Sequence, residues 1–175
     1  MVRYPKGWED ADDNEEQITT TLYDTELSTT AANTSLTLFD NTEQGSGLDD
    51  TNMQIASQLP STQRFLVKAI SAHFNDVLAA TDAENLLDRA SFELRINNWR
   101  MFSAPLREIM SEKTVIPSGV TQDEQYFIGK TYPLENYIMI PGGTTFNATI
   151  ETGETAAGVS TAITVVLHGE LVRKR

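Results

Sequence analysis

The stretch Tyr137-Ile-Met-Ile-Pro-Gly-Gly-Thr-Thr-Phe-Asn-Ala-Thr-Ile-Glu151, followed after a Gly-containing bend by Thr161-Ala-Ile-Thr-Val-Val-Leu-His-Gly-Glu-Leu-Val172, decides the fold class. In the second run Ile163, Val165, Leu167 and Leu171 share one face of an extended chain, and Thr164, Val166, His168 and Glu170 share the other. That two-residue period is the mark of a half-buried strand. Phe146, Ala148 and Ile150 repeat it upstream, and Pro141-Gly142-Gly143 supplies a turn between the earlier strands. The run reads as three antiparallel strands of a β-sandwich.

Working back toward the N-terminus, the same pattern recurs in short pieces. Ser35 to Asp40 is the first strand expected of the domain, and Asn41 to Asp50, with Gly45 and Gly47, is a loop. Arg64 to Asn75 is apolar on both faces, as in a strand covered on both sides, although a buried helix fits this period as well. Thr81-Asp82-Ala83-Glu84 has the capping-box spacing, and Leu86, Leu87 and Ala90 after it predict one short helix. Ser91 to Asn97 returns to the strand period with Phe92, Leu94 and Ile96 on one face, and Pro105 opens a helical turn toward Met110. Residues 111–131 read as polar and irregular, with Tyr126-Phe127-Ile128 a short edge strand. Residues 1–34, acidic and then Thr-rich with few large apolar side chains, read as an extended arm that becomes ordered against a neighbouring subunit. Strands without alternating helices indicate a two-sheet arrangement, and the long loops suit Greek-key or jelly-roll crossovers. The expectation is therefore an all-β protein, an antiparallel β-sandwich built as a single jelly roll over residues 35–175, with one short helix and the N-terminal arm.

Composition bounds the function. A chain of 175 residues, 39% hydrophobic and 22% charged, suffices for one domain with a real core. The absence of cysteine removes disulfides, thiolate metal sites and a Cys nucleophile. No apolar run approaches the roughly 20 residues of a membrane helix, and the first residues lack the apolar stretch of a signal peptide, so synthesis in a cytoplasm is expected. The net charge of −12 is lopsided: residues 1–60 carry 12 acids and 2 bases, the remainder 13 acids and 11 bases. An acidic front end with so few bases argues against direct nucleic-acid contact, which needs Lys and Arg on phosphates. It suits a solvated tail, or a basic protein partner.

Catalytic chemistry is not legible. His73 and His168 each fall inside an expected strand, and no histidine or cysteine spacing matches a zinc or iron site. Asp49-Asp50 and Asp123-Glu124 fall in expected loops without the alternating oxygen ligands of a calcium loop, and read as solvated carboxylates. Gly45-Ser46-Gly47 precedes nothing that resembles a phosphate-holding helix start. No catalytic residue, metal or cofactor is assigned. Trp99 with Arg95, Arg100 and Phe102 is the most interaction-like cluster, since Trp and Arg are enriched at interface centres; a Trp closing the end of the core is the alternative. Arg173-Lys174-Arg175 forms a basic tip that either pairs with the acidic arm of a neighbouring copy or is solvated.

The order of features also carries a resemblance. Leu-Phe-Asp (38–40), Asp-Thr-Asn-Met (50–53), Gln-Leu-Pro-Ser-Thr-Gln-Arg-Phe-Leu-Val-Lys-Ala-Ile (58–70), Ser-Phe-Glu-Leu-Arg-Ile (91–96), Ala-Pro-Leu-Arg (104–107), Ile-Met-Ile-Pro-Gly-Gly-Thr-Thr-Phe (138–146) and Val-Val-Leu-His-Gly-Glu-Leu-Val-Arg (165–173) follow in turn. This resembles the jelly-roll structural proteins of bacteriophage virions that decorate or cement an icosahedral head. The resemblance implies a symmetric oligomer, commonly a homotrimer, seated on the major capsid protein, located in the virion after synthesis in the host cytoplasm. It transfers no catalytic residue. Subunit contact is then expected from the arm, including Trp8, Leu22 and Tyr23, and from Arg95, Trp99, Arg100 and Phe102, and removal of residues 1–34 is expected to leave a folded domain that no longer attaches. The alternatives are a receptor- or glycan-binding tail or spike module, the capsid shell protein itself, or a jelly-roll enzyme of the cupin type, the last disfavoured by the missing histidines.

Overall fold

The computed structural model describes residues 5, 14–28, 31–47, 50–74, 86–110, 112–118, 122–128, 131–153 and 160–174. Among them strand is the main structure: β1 (Glu15–Leu27), β2 (Ser35–Leu38), β3 (Gln63–Phe74), β4 (Ser91–Ile96), β5 (Trp99–Pro105), β6 (Glu112–Ser118), β7 (Gln122–Ile128), β8 (Tyr132–Pro141), β9 (Phe146–Glu151) and β10 (Ala162–Lys174). Three single helical turns interrupt them: α1 (Glu43–Ser46), α2 at 86–89 and α3 (Leu106–Ile109).

Two antiparallel four-stranded sheets carry the structure, ordered β1-β10-β3-β8 and β2-β9-β4-β5, with β6-β7 as a separate two-stranded ribbon. Without the ribbon, the remaining strands in chain order run first-eighth-third-sixth in one sheet and second-seventh-fourth-fifth in the other. The inner faces meet in one apolar cluster. Leu22, Phe65, Val67, Ile70, Ile163, Val165 and Leu167 come from the first sheet; Leu36, Leu38, Phe92, Leu94, Phe146, Ala148 and Ile150 come from the second. Burying each such large side chain contributes about 1.5–3 kcal/mol, which is why the two-residue period was the decisive signal.

The expected faces of β9 and β10 are as read, but β8 and β9 do not pair. The Pro141-Gly142-Gly143 turn carries the chain from one sheet to the other. The ambiguous stretch at 64–75 is strand β3, the central partner of β10 and β8. The helix expected after residue 81 is seen at 86–89, where the Ala90 amide donates to the Leu86 carbonyl at 3.0 Å; the capping residues Thr81 and Glu84 lie outside the described residues. Residues 112–118 and 122–128, expected to be irregular apart from a short edge strand, pair antiparallel as β6 and β7.

The largest difference concerns the arm. Residues 15–27 are not an extension reaching away from the domain. They form the thirteen-residue strand β1, paired with β10 from Glu15↔Lys174 to Leu27↔Ala162. The inward positions of β1 are Ile18, Thr20, Leu22, Asp24 and Glu26, opposite Leu171, Gly169, Leu167, Val165 and Ile163. So polar an inner face has no hydrophobic alternation for a sequence reading to find. The threonines that suggested an added strand do form one, but in cis. The same register ends the question of the basic tip: Arg173 lies across from Glu16 and donates to its carboxylate at 2.9 Å, within one chain.

Candidate functional site

Of the residues expected at subunit contacts, the structure gathers three. β4 and β5 form a hairpin whose two connecting residues, Asn97 (φ 48°) and Asn98 (φ 66°), both adopt the left-handed conformation that a two-residue I′ turn requires and Asn tolerates. β5 is an edge strand, and among the described residues no strand pairs with its outer border. Leu94 opposes Phe102 while Arg95 opposes Arg100, which leaves Met101 as the extra residue of a β-bulge. The outcome is an exposed tip: Trp99 is 76% and Met101 47% accessible. Beside them Arg95 Nη2 donates to Glu93 Oε2 at 2.6 Å and Arg100 Nε lies 3.1 Å from Glu93 Oε1. Two cations share one anion, so the patch is apolar with a net positive border.

The other expected contact residues are elsewhere. Phe102 turns inward, its ring 6.2 Å from that of Phe92 and 5.5 Å from that of Tyr132, because its strand partner Leu94 faces the core. Leu22 is likewise a core residue rather than a contact, being opposite Leu167 on the inner face. Tyr23 is half-buried on the outer face of the first sheet, in the layer opposite Trp99. Trp8 lies outside the described residues.

A second cluster is one that no sequence signal announced. Along β1, Asp24 and Glu26 take two successive inward positions after Leu22. Asp40 follows the end of β2, and the three side chains each place a carboxylate oxygen within 4.8 Å of the others. Phe39 between them holds φ 67°, a strained value for a bulky residue. The conformation turns its ring into the core, 5.5 Å from Phe146, and its amide onto Asp24 Oδ2. Asn41 Nδ2 donates to Glu26 Oε1, and Thr51 forms an isolated bridge with Asp24. Asp24 is wholly buried, Glu26 half-buried and Asp40 exposed, so the cluster opens to solvent on one side. Asp24 Oδ1 is buried without a hydrogen-bond partner. Burial pushes the Asp24 carboxyl above the usual carboxylate range, opposed in part by the Phe39 N–H; burial and then the Asp24 and Asp40 charges push Glu26 up as well. Among the described residues none of the Lys and Arg ion pairs reaches these carboxylates. The reading of the sequence looked for adjacent acids and passed over these, whose separation is spatial.

His168 shares a 2.8 Å hydrogen bond, through Nε2, with Ser71 Oγ on the outer face of the first sheet. Such a pair has the first contact of a nucleophile–base dyad, but among the described residues no carboxylate bonds the other ring nitrogen to orient it. Burial lowers the pKa of both His168 and His73. The acids Asp123 and Glu124, expected in a loop, lie on β7. Compared with known proteins, the chain matches no family model and no curated sequence.

Proposed function

We propose that this protein is a structural protein of a bacteriophage virion, a capsid-associated decoration or cement protein with a single jelly-roll domain. It acts by presenting surfaces to copies of itself and to the major capsid protein. The observation that supports the reading is the strand order, first-eighth-third-sixth facing second-seventh-fourth-fifth, an interleaving consistent with the two Greek keys of a jelly roll. That architecture serves viral capsid proteins, lectins and cupins alike. What favours assembly over catalysis is the chemistry of the surface: an exposed Trp99 and Met101 on an edge hairpin, flanked by arginines, is the kind of anchor that interfaces bury. Symmetry then lets modest contacts add into firm attachment.

The test is the oligomeric state of the purified protein by sedimentation, together with the protein content of virions from its source. The expected result is a homotrimer that Trp99→Asp dissociates without lowering the melting temperature, and a stoichiometric copy number in virions. A monomer at all concentrations, with no trace in virions, would overturn the proposal. The same Trp99, largely exposed beside two arginines, also supports a glycan-binding tail or spike module as a second reading; binding on a glycan array that Trp99→Ala abolishes would select it.

A further inference from the structure

We infer that Asp24, Glu26 and Asp40 form a binding site for a hard divalent cation, calcium by its chemistry, which ties the edge strand of one sheet to the edge of the other. The three side chains come from both layers: Asp24 and Glu26 from β1 at the border of the first sheet, Asp40 from the segment leaving β2 at the border of the second. One carboxylate oxygen from each lies within 4.8 Å of the other two, the mutual spacing of oxygens around a single ion. Three acids so close are tolerated in a fold only if protons or a cation neutralise them. Nothing among the described residues does so: the ion pairs of the molecule lie elsewhere.

A second observation points the same way. Asp24 is 0% exposed and spends Oδ2 on the Phe39 amide, while Oδ1 is sealed from solvent without a well-formed hydrogen bond, the Thr51 side chain and the Thr25 amide giving its charge only partial support against burial. A buried carboxylate oxygen left unpaired is costly, and coordination satisfies it. The strained φ 67° of Phe39 belongs to the same device, because that conformation aims its amide at Asp24 and delivers Asp40 to the cluster in the next residue. The donor set is all oxygen, with neither histidine nor thiolate, which disfavours zinc and copper. The graded burial, from sealed Asp24 to exposed Asp40, leaves an entry path and room for water ligands, which suits the irregular six- to eight-fold shell of calcium better than the strict octahedron of magnesium.

The experiment uses the full chain, stripped with EDTA and titrated with CaCl₂ by calorimetry and by thermal melting. The wild type is expected to bind one calcium and to melt about 5–10 °C higher at a hundredfold excess over Kd. Asp40→Asn and Glu26→Gln are expected to weaken binding at least tenfold, and to melt at or above the wild type when metal-free, because each removes one of three like charges. The exposed Glu135→Gln serves as control and is expected to keep the full shift. Asp24→Asn is not relied on, since the side chain also anchors a buried amide. No shift with calcium, magnesium or manganese would overturn the site and leave shared protons as the neutralising agent; so would equal shifts in the wild type and Asp40→Asn, or loss of the shift in the Glu135 control. The measurement is made on the isolated protein, so its result stands apart from the virion reading.

Discussion

Phe39 is the residue at which backbone strain, core packing and the acid cluster meet. Its ring is fully buried against Phe146, while its φ of 67° belongs to a region that disfavours every side chain but suits glycine. Truncation should therefore break the usual order. Phe39→Ala is expected to cost about 3–5 kcal/mol in chemical denaturation for the lost packing. Phe39→Gly should cost about 1 kcal/mol less than Ala, since it relieves the strain; an Ala variant more stable than the Gly variant would refute the strain argument. Titration follows from burial at the same scale. Asp24 and Glu26 are shifted up, so the folded protein holds their protons at pH values where the unfolded chain has lost them. Their unfavourable contribution is absent below the ordinary carboxylate range and sets in as pH rises through the folded-state values. His73 and His168 are shifted down, so the unfolded chain takes their protons first and stability falls as pH drops below about 6.5. In metal-free protein Glu26→Gln should be more stable than wild type at pH 7, with the advantage shrinking by pH 4. An advantage that grew on acidification would contradict the assignment.

At the scale of elements, β1 and β10 decide most. Their thirteen-residue register buries Leu22, pairs Glu16 with Arg173 and aligns Thr25 with Thr164, whose hydroxyls lie 2.7 Å apart. The free edge of β1 is capped by Asn52, which accepts from the Tyr23 amide at 3.0 Å and donates to the Thr21 carbonyl at 2.8 Å, as a neighbouring strand would. Glu15 adds a two-pronged contact with Arg64 at 2.7 and 2.9 Å. The expectation that the domain survives loss of residues 1–34 is accordingly revised: removal of 1–34 strips β1 from the sheet and should abolish the cooperative transition. A folded 35–175 fragment would show that β1 is dispensable. Where β3 and β10 slip register, at His168/Gly169, a side chain at position 169 would place its Cβ 1.8 Å from the Leu66 carbonyl oxygen. A main-chain atom in mid-sheet has little room to yield. Gly169→Ala is expected to cost about 3 kcal/mol or more, read from the denaturation midpoint.

For the whole molecule, the pairing of Glu15 with Lys174 means that the first sheet closes only when the last strand arrives. Such non-local pairing makes folding slow, of the order of milliseconds to seconds. The two edge strands β1 and β2 meet around acids rather than hydrocarbon: Leu22, Leu36 and Leu38 fill the core, and Asp24, Glu26 and Asp40 lie beyond them at the open border. A cation at that border would join the two layers where they share no backbone hydrogen bonds. Among the described residues the exposed large hydrophobics are Leu27, Ile55, Trp99 and Met101, and the hairpin on the second sheet brings the last two together. On the proposed reading, the acid cluster and the Trp99 hairpin lie at different borders, so a variant at one should leave the other's role intact.

The amino-acid order alone determined the all-β class and the inward faces of β4, β9 and β10, because a two-residue apolar period and turn residues are local signals; the inward face of β3, apolar on both sides, and the exposure of Trp99 were left to the tertiary structure. That order did not reveal β1, whose inward face carries Thr20 and the acids Asp24 and Glu26 among its apolar positions, nor the pairing of β6 with β7, whose residues carry no clean alternation. Only the tertiary structure decided that Glu16 meets Arg173, that Leu22 and Phe102 face the core and that Asp40 joins Asp24 and Glu26. Contacts between residues far apart in the chain depend on strand register, and register is settled by the packing of the two sheets together.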